Sequence, residues 1–354
     1  MARIVILRLF PPAMQFLRIS SLVLACALGF AMQAAAAPKK VLVVSVTTGF
    51  RHSSIETGEK VLAQLAEKSG AFTVDFVKQP EGRPISPRKP NRDKKDTDET
   101  FKAKEDAYAK EMAAFVPASD AYNKQVNAYC AEKLTLDKIK DYDGFIFCNT
   151  TGDLPFPDAQ GFIDLIKGGK AFMAMHSATD TMHKFRPYIE MIGGEFDGHP
   201  WHQEVTVKNE DKAHPAGAPW AEKFTVTDEI YQMKSYERAD KHVILSLDGS
   251  NAERPKTKTK TKVKVKGSDG KEVEEEKELG FFERGKRTDG DYAVSWTKEV
   301  GKGRVFYTSL GHREEVWDPE WKDGGGKRTN PPEVAKAYQE HILGGIKWAL
   351  GIAD

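Results

Sequence analysis

The sequence predicts an α/β protein whose sheet is mainly parallel and carries an antiparallel extension. A strand, a helix and a second strand follow one another between residues 40 and 77, an order that favours parallel pairing. Strands and helices alternate again between residues 142 and 192. Beyond Gln203 polar and apolar residues alternate one by one, a pattern typical of antiparallel strands.

The first three elements have the clearest signals. Residues 40–46 are almost continuously apolar, as expected for a strand that is covered on both faces. Ser53 is the predicted N-cap of the following helix because Glu56 occupies the capping-box position three residues later. This helix should end near Gly70, and Phe72–Val77 is the next predicted strand.

The later elements begin after residue 133. Strands are predicted at residues 142–149 and 171–176, and the helix between them is closed by Gly168 and Gly169. A short helix is predicted around residues 182–192, and the remaining elements are five strands and a final helix, at residues 204–208, 224–232, 242–247, 292–296, 304–310 and 332–349. Two glycines within residues 299–303 predict a hairpin between the last two strands.

Two segments interrupt this order, and we interpret them as insertions into a single domain of residues 38–354. Residues 80–133 contain several prolines and then a charged helical stretch, whose side chains we expect to face solvent. Residues 254–279 alternate lysine with threonine or valine and predict an exposed two-stranded ribbon. Edge lysines discourage strand pairing, and contact with an anionic polymer is the alternative role.

Residues 1–37 have the organisation of a secretory signal peptide. Arg3, Arg8 and Arg18 precede a short apolar run and a group of small residues that ends before Pro38. The apolar run is too short to span a bilayer comfortably. We therefore expect a secreted or periplasmic protein without a membrane span. A buried N-terminal helix and a lipoprotein attached through Cys26 are the alternatives.

Charge and cysteine content exclude several classes of protein. Without the three arginines of the predicted signal peptide, the chain has 50 basic and 52 acidic residues. This balance gives no electrostatic reason to expect a nucleic-acid partner. Two cysteines remain, which make no disulfide framework, and Cys148 lies inside an apolar strand as a small buried residue. No nucleotide cofactor is expected, and the oligomeric state is not defined by the sequence.

Three histidines stand at or just after the ends of predicted strands, namely His52, His176 and His312. Ligands of open α/β sheets bind beyond the carboxyl ends of the strands. We therefore expect these imidazoles to share one site, as bases, metal ligands or hydrogen-bond donors. The alternative for His176 is a structural role, in which its side chain only caps the next helix.

A glycine-rich loop near residue 200 adds further candidates. His199 and His202 are three residues apart, a spacing that could supply two ligands to one metal. Trp201 offers a flat face for a sugar ring, with packing in the core as the alternative. Asp180 can face the same crevice as the strand-end histidines. Glu229 lies in a predicted strand, where a buried carboxylate is costly unless it is paired, for instance with an arginine.

Several ordered motifs resemble the trehalose-utilisation (ThuA-like) family. The similarity covers about residues 40–250 and 280–351, and its motifs include residues 50–54, 149–153, 168–180, 193–200 and 301–312. The fold of that family is similar to that of class I glutamine amidotransferases. The resemblance therefore implies a flavodoxin-like sheet with helices on both faces.

The resemblance also implies roles for individual residues. His176 stands where the amidotransferases have their nucleophilic cysteine, and His312 with Glu314 is similar to their late His and Glu pair. A Cys-dependent amidotransferase is excluded unless Cys148 substitutes, and its position inside a strand argues against that. The family is associated with carbohydrate utilisation, including conversion of 3-keto sugars, so the predicted catalytic residues are His176, His312 and Asp180.

We therefore expect an exported enzyme that acts on a sugar or 3-keto-glycoside by histidine-based acid–base chemistry. The predicted substrate contacts are Arg51, His52, Asp153, Trp201 and Glu229. A divalent cation, zinc or manganese, is expected to be held by some of His52, His176, His199 and His202. A non-catalytic carbohydrate-binding protein is the alternative, because a fold alone does not imply activity.

Overall fold

The computed structural model describes Met1 and residues 37–249, 260–266, 272–278, 282–287 and 289–352. The chain divides into two units, Met1–Ala36 and Ala37–Asp354. The predicted signal peptide and Cys26 lie outside the described residues, as does part of the predicted insertion at 254–279. Within the described ranges, no helix has the length and apolar character needed to cross a membrane.

The second unit is organised around a nine-stranded sheet. The strands of the described residues are β1 (Lys39–Val44), β2 (Phe72–Val77), β3 (Gly144–Cys148), β4 (Ala171–Met175), β5 (Glu195–Phe196), β6 (Trp201–Asn209), β7 (Lys223–Ile230), β8 (Met233–Lys234), β9 (His242–Leu247), β10 (Lys260–Lys266), β11 (Glu272–Glu278), β12 (Ala293–Val300) and β13 (Gly303–Thr308). The order of the strands in the nine-stranded sheet is β2-β1-β3-β4-β13-β12-β9-β6-β7. The first five of these, from β2 to β13, pair in parallel.

This parallel part of the sheet has the flavodoxin-like strand order, and the remaining four strands extend it in antiparallel pairing. The predicted fold class is therefore confirmed. The predicted hairpin between β12 and β13 is present, with Gly301 at a φ of 63° in its turn.

Helices cover both faces of the sheet. They are α1 (Ile55–Ser69), α2 (Asp98–Lys133), α3 (Leu136–Ile139), α4 (Ala159–Lys167), α5 (Arg186–Ile192), α6 (Glu314–Trp317) and α7 (Pro332–Leu350). Alternate side chains of β1 enter the two cores, since Val41 and Val43 pack with α1 and α7, whereas Leu42 and Val44 pack on the side of α2, α4 and α5.

The start of α1 differs from the prediction in a way that matters for the site. Ser54, not Ser53, stands at the N-cap, and its side chain makes no capping hydrogen bond. The Ser54 hydroxyl instead donates to the carbonyl oxygen of Gly311, at 3.1 Å. The end of α1 at Ser69, followed by Gly70 in a left-handed conformation, confirms the predicted C-terminus.

The lysine-rich segment forms the predicted two-stranded ribbon. Strands β10 and β11 pair in antiparallel register, so that Lys260, Lys262 and their successors in β10 stand opposite glutamate positions of β11.

The buried His341 of α7 makes stability depend on pH. Its Nδ1–H donates to the carbonyl oxygen of Ala216, at 2.5 Å, and its side chain is fully buried. Burial lowers the pKa of His341 from 6.5 to about 4. Between those two values the unfolded chain binds a proton that the folded chain does not bind, so stability falls as the pH falls.

We therefore expect this residue to contribute a loss of about 2 kcal/mol in the free energy of unfolding between pH 7 and pH 5. Urea denaturation of the wild type and His341→Leu at both pH values measures it. The variant should lose about 2 kcal/mol less than the wild type on acidification, and equal losses would contradict the assignment.

Candidate metal centre

Four side chains from distant parts of the chain converge at the carboxyl end of the parallel strands. His52 follows β1, His176 follows β4, His312 follows β13, and Glu229 lies on β7. One ligand atom from each lies within 4.8 Å of the others. We call these four residues the inner cluster. Three of them are buried and His312 is half-buried, so the group is largely shielded from solvent.

His176 has a backbone and a hydrogen bond that fix its orientation. Its φ is +45°, in the left-handed region that non-glycine residues seldom occupy, and such outliers concentrate at functional sites. Its Nδ1 lies 2.8 Å from the carbonyl oxygen of Ser309. Because a carbonyl only accepts, Nδ1 carries the proton, and the Nε2 lone pair is directed into the inner cluster.

The spacing of the ligand atoms fits a bound cation. His176 Nε2 lies 3.5 Å from Glu229 Oε2, and His312 Nδ1 lies 3.1 Å from the same oxygen and 3.3 Å from His176 Nε2. Ligands at 2.0–2.1 Å in a tetrahedral zinc site are about 3.3 Å apart. The imidazole lone pair and the carboxylate would repel each other unless a proton or a cation lies between them.

His312 is held by an unusually well-connected glycine before it. The Gly311 N–H donates to Asp228 Oδ2 at 2.7 Å. The Gly311 carbonyl accepts from Asn149 Nδ2 and Trp317 Nε1, each at 2.8 Å, as well as from Ser54. Supporting contacts of this kind orient metal-binding side chains and raise their affinity.

The charges of the inner cluster depend on one another. Burial, followed by the neighbouring His176 and His312, lowers the pKa of His52 to about 2, so His52 is a neutral imidazole. Burial alone would raise the pKa of Glu229, but the His176 and His312 rings hold it well below its usual range. Burial alone would lower the pKa of His312, but the Glu229 carboxylate raises it. A cation would replace the proton of His312.

Two further histidines lie outside the inner cluster, against the other oxygen of Glu229. His199 Nδ1 is 3.2 Å and His202 Nδ1 is 3.7 Å from Glu229 Oε1. Their side chains are 52% and 48% exposed, so we call them the outer histidines. Burial and the proximity of His312 lower the pKa of His202. Of the four predicted metal ligands, the structure therefore gathers His52 and His176 with Glu229 and His312.

Asp180, a predicted catalytic residue, is not one of the four residues of the inner cluster. Its carboxylate and that of Glu195 both contact His183. His183 Nε2 lies 2.6 Å from Asp180 Oδ1, and His183 Nδ1 lies 2.8 Å from Glu195 Oε1. Although burial opposes it, these two contacts raise the pKa of His183. His183 was missed in the sequence, where its position three residues after Asp180 is the only signal.

The other predicted substrate contacts do not belong to the inner cluster. Trp201 is fully buried and its ring packs edge-on against Tyr292, so it does not offer the flat face expected for a sugar. Asp153 is paired with Lys184 at 2.9 Å. Arg51 donates to the Ser45 carbonyl and to Glu56 Oε1, at 2.9 and 2.8 Å.

The carboxylate that pairs with His312 differs from the one that the resemblance to the amidotransferases implies. The carboxylate beside His312 is that of Glu229, whereas Glu314 begins α6. Cys148 is fully buried, and burial raises its thiol pKa, so it is not a thiolate nucleophile.

Comparisons with known proteins give one family match and several similar solved structures. Residues 96–323, more than half of the chain, match the family model described as trehalose utilisation (ThuA). No curated protein matches the chain. A ThuA-like protein from Bacteroides uniformis is similar with 17% identity and a TM-score of 0.48, over 91% of this chain and 95% of its own.

Two further solved structures are similar. A ThuA-like protein from Parabacteroides merdae has 16% identity and a TM-score of 0.49, over 88% of this chain and 90% of its own. A glutamine amidotransferase from Thermotoga maritima has 10% identity and a TM-score of 0.37, over 88% of this chain and 98% of its own.

Proposed function

Because this chain belongs to the trehalose-utilisation (ThuA) family, we propose that it is an exported enzyme that acts on a sugar or 3-keto-glycoside, with zinc or manganese at the inner cluster. The observation that carries this proposal is the convergence of four ligand atoms within 4.8 Å. Buried titratable groups brought together from distant segments are typical of functional sites. The donor set, three imidazoles and one carboxylate, suits these cations.

In this proposal His176 and His312 are ligands of the cation. The outer histidines, His199 and His202, transfer the protons. His176 is fully buried, and its nitrogens face Ser309 and the inner cluster. The outer histidines are half exposed and can reach a bound substrate. A divalent cation held by His52, His176, Glu229 and His312 would supply a Lewis acid for a carbonyl oxygen of the substrate.

The reaction that fits these groups is an elimination. A keto group acidifies the neighbouring C–H bond, and His202, neutral because its pKa is lowered, is the base that takes this proton. The electron pair of the C–H bond forms a C=C bond, and the glycosidic oxygen leaves with the pair of the bond that breaks. A proton from His199 completes the leaving alcohol.

We expect His202→Ala to lower kcat on a 3-keto-glucoside by about 10²- to 10⁴-fold, because general acid–base groups contribute that much. Its bound metal should be unchanged, since His202 lies outside the inner cluster. His242→Ala is the matched control, as His242 is exposed and paired with Asp211. Unchanged turnover in His202→Ala would reject His202 as the base, and sugar binding without any turnover by the wild type would favour the carbohydrate-binding alternative.

We also propose that the protein is exported, on the basis of the signal-peptide pattern of residues 1–37. Protein recovered from the periplasm or the medium should begin at Pro38. N-terminal sequencing of that fraction is the measurement. Protein that retains residues 1–37 and remains in the cytoplasm would contradict export.

A further inference from the structure

A groove of about 500 Å³ lies beside the inner cluster, between the end of β1 and the insertion that contains α2. Thr48 and Phe50 line it from the sheet, Arg83 and Ile85 from the segment before α2, and Phe115 and Ser119 from α2 itself. Its volume falls within the range of small-molecule sites.

Hydrogen bonds hold the walls of this groove in place. Arg83 donates to Thr47 Oγ1 at 2.9 Å and to the Gly49 carbonyl at 2.7 Å. Tyr122 of α2 donates to the carbonyl of Pro80 at 2.6 Å and accepts from Gln79 Nε2 at 2.8 Å. The insertion is thus tied to the end of β1, and a groove formed in advance reduces the entropy lost on binding.

The lining combines apolar faces with hydrogen-bonding groups. Phe50 is 67% exposed and Ile85 is 92% exposed, and both present apolar surface to the groove. Thr48 and Ser119, which carry hydroxyl groups, also line the groove. A pyranose ring has the matching surface, with apolar C–H faces and a rim of hydroxyls. Two arginines line the groove, Arg51 and Arg83, and each already donates from both terminal nitrogens to the protein, which disfavours an anion as the ligand.

Phe50 connects the groove with the inner cluster. Its ring lies edge-on to that of His52, with 4.8 Å between the ring centroids, and it also lines the groove. A ligand that rests on Phe50 can therefore extend from the neighbourhood of the inner cluster into the groove.

We propose that this groove is a subsite for a second sugar unit, so that the protein takes a disaccharide or a longer glycoside in preference to a simple alkyl glycoside. This inference rests on the proposed function for the location of the reacting unit. It assigns a role to the insertion, which forms one wall of the groove.

The test blocks the groove at Ser119. In Ser119→Trp, the ratio of kcat/KM for a 3-keto-disaccharide to that for methyl 3-keto-glucoside should fall about tenfold, equivalent to about 1.4 kcal/mol. Lys110→Trp is the matched control, because Lys110 is exposed on the same helix and does not line the groove. Phe50→Ala, at an exposed position, should lower the same ratio and does not depend on how well α2 accepts tryptophan.

A binding measurement separates failure of the subsite from failure of the proposed reaction. Calorimetry with unreacted α,α-trehalose should show binding to the wild type and Lys110→Trp, and about tenfold weaker binding to Ser119→Trp and Phe50→Ala. This result supports the subsite even if the wild type turns over no keto sugar. Trehalose binding that is equal in all four proteins, or competition by inorganic phosphate for the groove, would overturn it.

Discussion

Glu229→Gln should largely abolish binding of the divalent cation. The Glu229 carboxylate supplies the only anionic ligand of the inner cluster, and its Oε2 lies 3.1 Å from His312 Nδ1 and 3.5 Å from His176 Nε2. An amide of the same shape carries no charge to balance the cation. Loss of supporting contacts alone weakens metal sites by 10- to 100-fold, so we expect at least about 100-fold weaker binding of zinc when metal-free protein is titrated in a calorimeter.

Glu195→Gln is the matched control for this experiment. Glu195 is also buried and also contacts a histidine, His183, at 2.8 Å, but it lies outside the inner cluster. The affinity of the Glu195→Gln protein for zinc should equal that of the wild type. Equal affinity in Glu229→Gln and the wild type would show that the cation binds elsewhere.

Gly311→Ala should destabilise the folded protein by about 3 kcal/mol in the free energy of unfolding, measured with urea. The φ of Gly311 is +112°, and an added Cβ would lie 2.6 Å from the Tyr338 hydroxyl and 3.0 Å from Trp317 Nε1. Relief of these contacts requires the backbone to move, and this backbone carries His312. We therefore also expect weaker metal binding.

Gly326→Ala separates the effect of backbone conformation from that of the close contacts. Gly326 has a φ of +75°, but an added Cβ would meet nothing within 4 Å. A left-handed conformation without a clash costs roughly 1–2 kcal/mol. If both variants lose equal stability, the packing around Gly311 does not have the importance that we assign to it.

The strand-end histidines show how much of the site was predictable from sequence. His52, His176 and His312 follow β1, β4 and β13, which lie within four consecutive parallel strands of the sheet, and the rule for ligand sites of α/β sheets places such residues at one edge. Glu229 was identified as a carboxylate that needs a partner, but its partners are histidines and not an arginine.

Those partners depend on strand pairing that the sequence does not specify. The antiparallel register of β6 and β7 places His202 opposite Glu229. Strand β6 begins at Trp201, where the sequence suggested a loop, so that Trp201 and His202 point to opposite faces of the sheet. This alternation buries the tryptophan and leaves the histidine half exposed.

Asp180 contacts His183 and not His176 for a similar local reason. It lies four residues after His176, and on an α-helix the two would share a face. Residues His176–Asp180 instead form a 3-10 turn, which has three residues per turn. Asp180 therefore contacts His183, and the inner cluster takes its carboxylate from β7.

X-ray absorption spectroscopy of the purified full-length protein, loaded with zinc, tests the central claim most directly. We predict a first shell of nitrogen and oxygen at about 2.0–2.1 Å, with outer-shell scattering from about three imidazoles and no sulfur. The Glu229→Gln protein should lack this signal. A spectrum with sulfur ligands, or one without imidazole scattering, would contradict the assignment of His52, His176, Glu229 and His312 as the metal site.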